Sequence, residues 1–231
     1  MVQGFTRRAV LAGGAVWLGG CGGRIYDAGR PPPPGRVLIF PPHITLGERR
    51  LGGAFRLRRD WSEPVRLAVL DAAAKAVARR RRAPVFLTAK DDADAAWALA
   101  RLHRPVAESL MDFDDALTGG RRPPTRRRPG LGPGARPLAA AHEAGAGLFI
   151  SVTGGYAEGW QRAAEIVLAE TMAVRVDGVA RRVIVSLVEL ETGQVFWSGA
   201  RRDRAIRDPL RAAGHVDALT MGAAFRRPQA A

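Results

Sequence analysis

The chain has 231 residues, 47% of them hydrophobic, which is enough length and apolar content for one domain core and excludes a wholly disordered chain. Lys plus Arg number 36 against 22 Asp plus Glu, and the resulting net charge of +14 favours anionic partners, whether nucleic acid or a membrane surface. Only Lys75 and Lys90 are lysine, an arginine bias that a GC-rich genome produces without any selection for guanidinium chemistry.

Residues 9–20, AVLAGGAVWLGG, form an apolar run of the length of a signal-peptide core, too short to span a bilayer as a helix. Ahead of it, Thr6, Arg7, Arg8, Ala9, Val10 and Leu11 resemble the twin-arginine export motif, with Val10 where Phe is commonest. Behind it, Leu18-Gly19-Gly20-Cys21 resembles the lipobox of bacterial lipoproteins. That resemblance implies cleavage before Cys21 and a diacylglyceryl group on its thiol. The alternative, a buried helix with an inert cysteine, would have to hold six glycines between Gly13 and Gly23, each costing about 1 kcal/mol against alanine. Cys21 is the only cysteine, so no thiol is left for a disulfide, a Cys-ligated zinc or a nucleophile. Removing residues 1–20 as a signal peptide takes away Arg7 and Arg8 and no acid, leaving +12 of the +14.

Residues 21–35 read as a Gly/Pro tether, with Pro31 to Pro34 favouring an extended stretch. The run 37–40, VLIF, stopped by Pro41 and Pro42, predicts a buried strand. A loop follows, and Asp60 or Ser62 is placed to cap a helix from near Glu63. Val65, Ala68, Val69, Ala72, Ala73, Ala76 and Val77 recur at helical spacing, and the helix ends in Arg79, Arg80, Arg81 and Arg82. A second strand is expected over 84–88. A helix opened by Asp91, Asp92 and Asp94 is expected to about Met111, with Trp97 and Leu110 on its apolar side and a kink at Pro105.

Residues 118–137 are rich in Gly, Pro and Arg and read as a long basic loop containing Arg121, Arg122, Arg126, Arg127 and Arg128. A short helix through Leu138 to Glu143 leads to a strand at 147–153 and a helix at 160–169. TMAVRV, the Asp177-Gly178 turn signal, VARRVIVSLVEL and VFWSG then predict a three-stranded antiparallel meander. Asp208 and Pro209 suit the N-cap and first position of a closing helix to about Phe225. Residues 36–227 thus read as a single α/β domain, a mixed sheet with flanking helices and a carboxyl-terminal meander.

Three stretches, RVLIFPPHITLGE, LGPGARPLAAAHEAGAGLFISVTGGYA and VSLVELETGQVFWSG, together resemble a group of proteobacterial envelope lipoproteins whose domain is similar to the curli-secretion lipoprotein and the amino-terminal domain of TolB. Leu187 to Leu190 and Thr192 to Trp197 match the hairpin of those families, with Glu189 where Asp is usual. The resemblance implies a fold and an envelope setting, and it assigns no catalytic residue.

Phosphate-loop, nucleophile-elbow and zinc-protease motifs are missing from the sequence, and His43, His103, His142 and His215 lack ligand-like spacing. The acidic groups at 91–94 and 112–115 suit helix ends better than cations. No catalytic residue, metal or cofactor is therefore expected. The reading is a lipid-anchored envelope protein that faces the periplasm and acts without catalysis, as an assembly component or regulator. Gly22, where Asp would signal inner-membrane retention in enteric bacteria, favours the outer membrane. Its partners would be the membrane, through Cys21, and another envelope protein. The candidate contacts with an anionic surface are Arg79 to Arg82 and the loop arginines Arg121, Arg122 and Arg126 to Arg128. Two alternatives stand beside it, a subunit of an outer-membrane secretion pore and a basic nucleic-acid-binding protein. The pore needs lipid-facing strands of about nine to eleven residues, and the nucleic-acid reading needs aromatics among the basic residues.

Overall fold

Residues 144–156, AGAGLFISVTGGY, carry no charge, the pattern of a strand buried on both faces. In the computed structural model, which describes residues 24–28, 32–49, 54–87, 93–116, 129–157 and 181–222, they form the longest strand of a mixed eight-stranded sheet. The strands are β1 (Arg24–Asp27), β2 (Arg36–Ile39), β3 (His43–Arg49), β4 (Phe55–Leu57), β5 (Pro84–Phe86), β6 (Ala144–Tyr156), β7 (Arg182–Glu189) and β8 (Val195–Arg202). On one side β6 pairs in parallel first with β2, Ile39 opposite Leu148, and then with β3, His43 opposite Ser151. On the other side it runs antiparallel to β7, which pairs with β8, which pairs with β1. β5 extends the sheet from β2 and β4 from β3. Pro41 and Pro42, which cannot donate to a ladder, lie where β6 passes from one parallel partner to the next.

Helices cover both faces. Against one lie α1 (Arg59–Arg79) and α4 (Pro209–Gly222), whose Val65, Val69, Ala73, Val77, Ala212, Val216 and Leu219 bury against Val37, Ile39, Leu46, Leu148, Ile150 and Val185. Against the other lie α2 (Ala93–Ala116) and α3 (Arg136–His142), where Ala96, Leu99 and Leu138 meet Leu38, Phe40, Phe149 and Val188. Phe40 stacks on Phe149 with ring centroids 4.0 Å apart. Fully burying one such side chain contributes roughly 1.5–3 kcal/mol. The domain is thus a single α/β/α sandwich around a mixed sheet.

Several expectations are corrected. The segment after Pro42 is not a loop but the hairpin β3–β4, in which Ile44 and Leu46 point inward and polar residues alternate with them. α1 begins at Arg59, so neither Asp60 nor Ser62 is its N-cap; Ser62 Oγ donates to the Arg58 carbonyl at 2.9 Å, and Asp60 is bound by the Arg58 guanidinium. α2 continues through Pro105 to Ala116, and its buried residues are Ala96, Leu99, Ala100, His103 and Ala107, while Trp97 is 36% exposed. Part of the expected tether is strand β1, held on the sheet edge by β8. β7 pairs on one edge with β6 and on the other with β8. Residues 160–169, 171–176 and the Asp177-Gly178 turn lie outside the described residues. The closing helix starts as expected, with Leu210 N donating to Asp208 Oδ1 at 2.9 Å.

The turn between β7 and β8 depends on Gly193, whose φ is +69° and whose added Cβ would stand 1.9 Å from the Gly132 carbonyl oxygen. A left-handed φ alone costs a residue with a side chain roughly 1–2 kcal/mol, before the collision is counted. Gly193→Ala is expected to lower the unfolding free energy by about 2 kcal/mol or more, measured as the urea midpoint. Gly214→Ala, mid-helix in α4 with nothing within 4 Å of the added Cβ, is expected to raise it by about 0.5–1 kcal/mol.

Candidate functional site

Two groupings of polar side chains arise from the fold, one sealed in the core and one at an end of the sheet. In the core, His103 of α2 is 1% exposed, and its Nε2 stands 2.7 Å from Ser186 Oγ of β7. Ser186 Oγ is in turn 2.7 Å from Ser198 Oγ of β8, its cross-strand partner in the ladder. The imidazole stacks on Phe149, with centroids 5.2 Å apart. Burial, with the charge of nearby His43 adding to it, pushes the His103 pKa down to about 3. A serine within hydrogen-bonding reach of a histidine is the spacing of a nucleophile and its base. Here both serines are 0% exposed and the third member is a hydroxyl rather than a carboxylate, so no substrate atom meets Ser186 Oγ. The three side chains form a polar line that satisfies itself inside the core.

The second grouping lies where β6 ends at Tyr156, β7 begins at Arg182, β8 ends at Arg202, and α1 and α4 begin. Trp61 meets Tyr156 edge to face, with centroids 5.6 Å apart. Arg58 lies 4.6 Å over Trp61, Arg181 lies 4.5 Å over Tyr156, and Arg207 stands 5.1 Å from the Tyr156 ring centre. The Tyr156 hydroxyl accepts from the Arg207 backbone N–H at 2.8 Å, and burial pushes its pKa up. Arg58 bridges Glu48 and Asp60, and His215 Nε2 stands 2.7 Å from Asp203 Oδ2. Burial pushes the Asp203 carboxyl up, but the Ala205 N–H and His215 outweigh it and hold the group below its ordinary value. Guanidinium groups occupy the aromatic faces, so the rings serve as supports for arginine and not as stacking platforms for bases. Five separated segments supply these residues, and neither run length nor spacing in the sequence marks them.

The arginines singled out in the sequence behave differently. Arg79 pairs with Asp217 of α4, Arg80 donates to the Met221 carbonyl, and Arg82 donates to the Pro33 carbonyl and to that of Gly35 at 3.2 Å. Three of the four therefore brace α4 and the proline segment, while Arg81 stands exposed with φ +56°. Arg7, Arg8, Cys21, Arg121, Arg122, Arg126, Arg127 and Arg128 lie outside the described residues, as do Asp91 and Asp92. The histidines are spread through the domain. His43 Nε2 is 3.2 Å from Thr45 Oγ1, His142 ends α3, and His215 pairs with Asp203. Among the described residues no three His, Cys, Asp or Glu gather as a metal site would require, and no described helix is long and apolar enough to cross a membrane.

No protein-family model matches the chain, and no curated protein matches it. Among solved structures it is similar to the PelC dodecamer from Paraburkholderia phytofirmans, at 11% identity and a TM-score of 0.39 over 89% of this chain and 99% of that one. It is also similar to lipoprotein GNA1162 from Neisseria meningitidis, at 13% identity and a TM-score of 0.30 over 74% of this chain and 83% of that one.

His103 makes acid stability testable. In the folded chain it stays neutral down to about pH 3, whereas a histidine in the unfolded chain protonates near its ordinary value of 6.5. Between those values the unfolded chain binds the extra proton, so stability is complete above pH 6.5 and falls as pH falls. From pH 7 to pH 5 the expected loss is on the order of 2 kcal/mol. His103→Gln keeps a hydrogen-bonding group for Ser186 and removes the titration, so denaturation midpoints at the two pH values should converge, leaving a smaller residue in the same direction from His43, whose pKa burial also lowers.

Proposed function

We propose that the chain is an exported, lipid-anchored protein of the bacterial envelope whose folded domain acts without catalysis, through contacts with an envelope protein and with the membrane. The observation that carries this reading is Leu18-Gly19-Gly20-Cys21 behind an arginine pair and a short apolar run, in a chain with no other thiol. Its lipid would insert in the bilayer and the domain would face the periplasm, with the outer membrane favoured by Gly22. The domain supports the reading in one respect: β1 begins at Arg24, so the sheet starts within three residues of the acylation site. An acylated cysteine contributes about 0.8 kcal/mol per buried CH₂, so anchoring does not depend on the basic residues; these act on orientation.

The sealed His103, Ser186 and Ser198 line supports a non-catalytic role, since its reactive-looking atoms are packed away from any substrate. The pore alternative rests on residues 171–176, which lie outside the described residues; their expected partner, β7, sits between β6 and β8 in the sheet.

Metabolic labelling with a fatty-acid probe is expected to mark the wild type and leave Cys21→Ser unmarked, and membrane fractionation should lose the variant from the envelope pellet. Equal labelling of both would overturn the anchor. Replacing Arg7 and Arg8 together by lysine should trap full-length precursor inside the cell, whereas undisturbed processing would assign export to the general secretory route.

A further inference from the structure

We infer that the arginine-rich end of the sheet, and not the Arg79 to Arg82 end, is the face that the domain turns toward an anionic bilayer. The inference rests on the anchored reading above and deepens it. Strand register carries it. β1 is antiparallel to β8, with Arg24 opposite Ala200 and Asp27 opposite Trp197. Ala200 stands opposite Ile184, and Ile184 opposite Ser151, so Arg24 is level with Ser151 of β6. The chain reaches Arg24 from the side on which β8 leaves the sheet at Arg202, two residues beyond Ala200. Three residues span at most about 11 Å. That reach is enough to pass the rim at Arg202, which lies about 7 Å beyond the Arg24 level. The opposite end, at Ala144, is seven residues of β6 away, roughly 23 Å, beyond the same reach. A lipid on Cys21 is therefore within reach of the Arg202 end of the sheet and not of the Ala144 end.

The face that arrives there has the composition a bilayer interface selects. Arg56, Arg59, Arg201, Arg202, Arg204 and Arg207 are exposed, and among the described residues none of them is in an ion pair. Most acids of the same end have partners within the protein: Glu48 and Asp60 pair with Arg58 and Asp203 with His215, while Asp208, exposed between Arg207 and Leu210, caps α4. α2 runs toward this end past the Arg182–Glu108 pair. Between the arginines stand apolar side chains, Leu210 at 82% exposure, Leu57 at 51% and Phe55 at 37%. Guanidinium groups gain from any polyanion, but exposed Leu and Phe among them gain only where hydrocarbon lies beneath the phosphates. That combination favours anionic lipid over nucleic acid.

The test uses the full-length protein isolated from membranes. Because lipid blocks Cys21, a single cysteine introduced by Leu210→Cys or Ala141→Cys can be labelled alone, and both positions are exposed. The mass is measured first: a protein without diacylglycerol sinks the anchored reading itself. Lipidated protein is then placed in vesicles of phosphatidylcholine with or without phosphatidylglycerol, each carrying a headgroup nitroxide as quencher. The label at 210 should be quenched in phosphatidylglycerol vesicles and the label at 141 should not. Quenching at 210 should fall to the phosphatidylcholine value in 1 M salt, where the screening length shrinks from about 10 Å to about 3 Å. Each of Arg201→Gln, Arg202→Gln and Arg204→Gln should weaken the electrostatic component about fivefold, with the protein still on the vesicle. Equal quenching at the two positions, or quenching at 210 indifferent to phosphatidylglycerol, would overturn the orientation while leaving the anchor in place. Indifference to phosphatidylglycerol together with protection of the 210 label by a single-stranded oligonucleotide would reassign the face to nucleic acid.

Discussion

The architecture hangs on the hydrogen-bonding obligations of one strand. β6 is thirteen residues long, uncharged and buried along nearly its whole length, so every backbone N–H and C=O on both of its edges must find a partner within the protein. On one edge the antiparallel strand β7 pairs with Ala146 to Thr153, and the Arg181 side chain donates to the Gly155 carbonyl beyond it. On the other, two shorter strands share the task in tandem, β2 up to Leu148 and β3 from Ser151, with the proline pair between them. Parallel pairing forbids a tight turn back, and so the chain must make the long excursion through β4, α1, β5, α2 and α3 before β6 is laid down. The helices of that excursion cover the two faces that a strand with no polar side must hide.

Arginine plays two parts in this framework, and location separates them. A guanidinium offers five donors in a planar fork, which suits it to tie down carbonyls that no ladder or helix satisfies. Arg82 does this for the proline segment, Arg80 for the end of α4, and Arg66 for Pro42 at 3.1 Å. Those side chains are braces, and their charge is committed. At the opposite end of the sheet Arg58 and Arg182 are likewise paired with acids, but Arg56, Arg59, Arg201, Arg202, Arg204 and Arg207 are exposed and in no ion pair among the described residues. A net charge read from composition counts both kinds alike, which is why the run Arg79 to Arg82 drew notice although three of its four members brace neighbouring segments.

Much of the layout was legible because it repeats at short range. The 3.6-residue recurrence from Val65 to Val77 marked α1, the uncharged runs marked β2, β6, β7 and β8, and Asp208 with Pro209 marked the start of α4. The failures have local physical causes. In His43–Arg49 only Ile44 and Leu46 carry the period-two signal, and the adjacent prolines and glycines spoke for a loop. β1 is four residues long and owes its existence to the edge of β8, a partner 170 or so positions away that no local window contains. Trp97 drew attention because it is large, yet α2 approaches the sheet through alanines, which a hydrophobicity pattern weights least. Both site groupings escaped for the same reason, since each draws single residues from three or more elements and exists only once the sheet has assembled.

The alanine face of α2 also explains why a polar line is worth keeping in the core. Ala96 and Ala107 let the helix lie close to Phe149, Ile184 and Ala200, but small, similar side chains specify an axial position poorly. Leu99 is the one large aliphatic group fully committed on that stretch. His103 supplies what the alanines lack. Its bond to Ser186, continued to Ser198, can form at one register of helix on sheet. A slip by one turn would strand the His103 imidazole and leave Ser186 with Ser198 alone, at a cost of about 1–3 kcal/mol for a buried polar group left unpaired. The same burial that keeps the imidazole neutral makes that penalty large, because an unpaired nitrogen there has no water to turn to. The histidine and its serines thus fix where α2 sits, and through the Glu108–Arg182 pair one turn further on, how the helix meets the arginine-bearing end of the sheet.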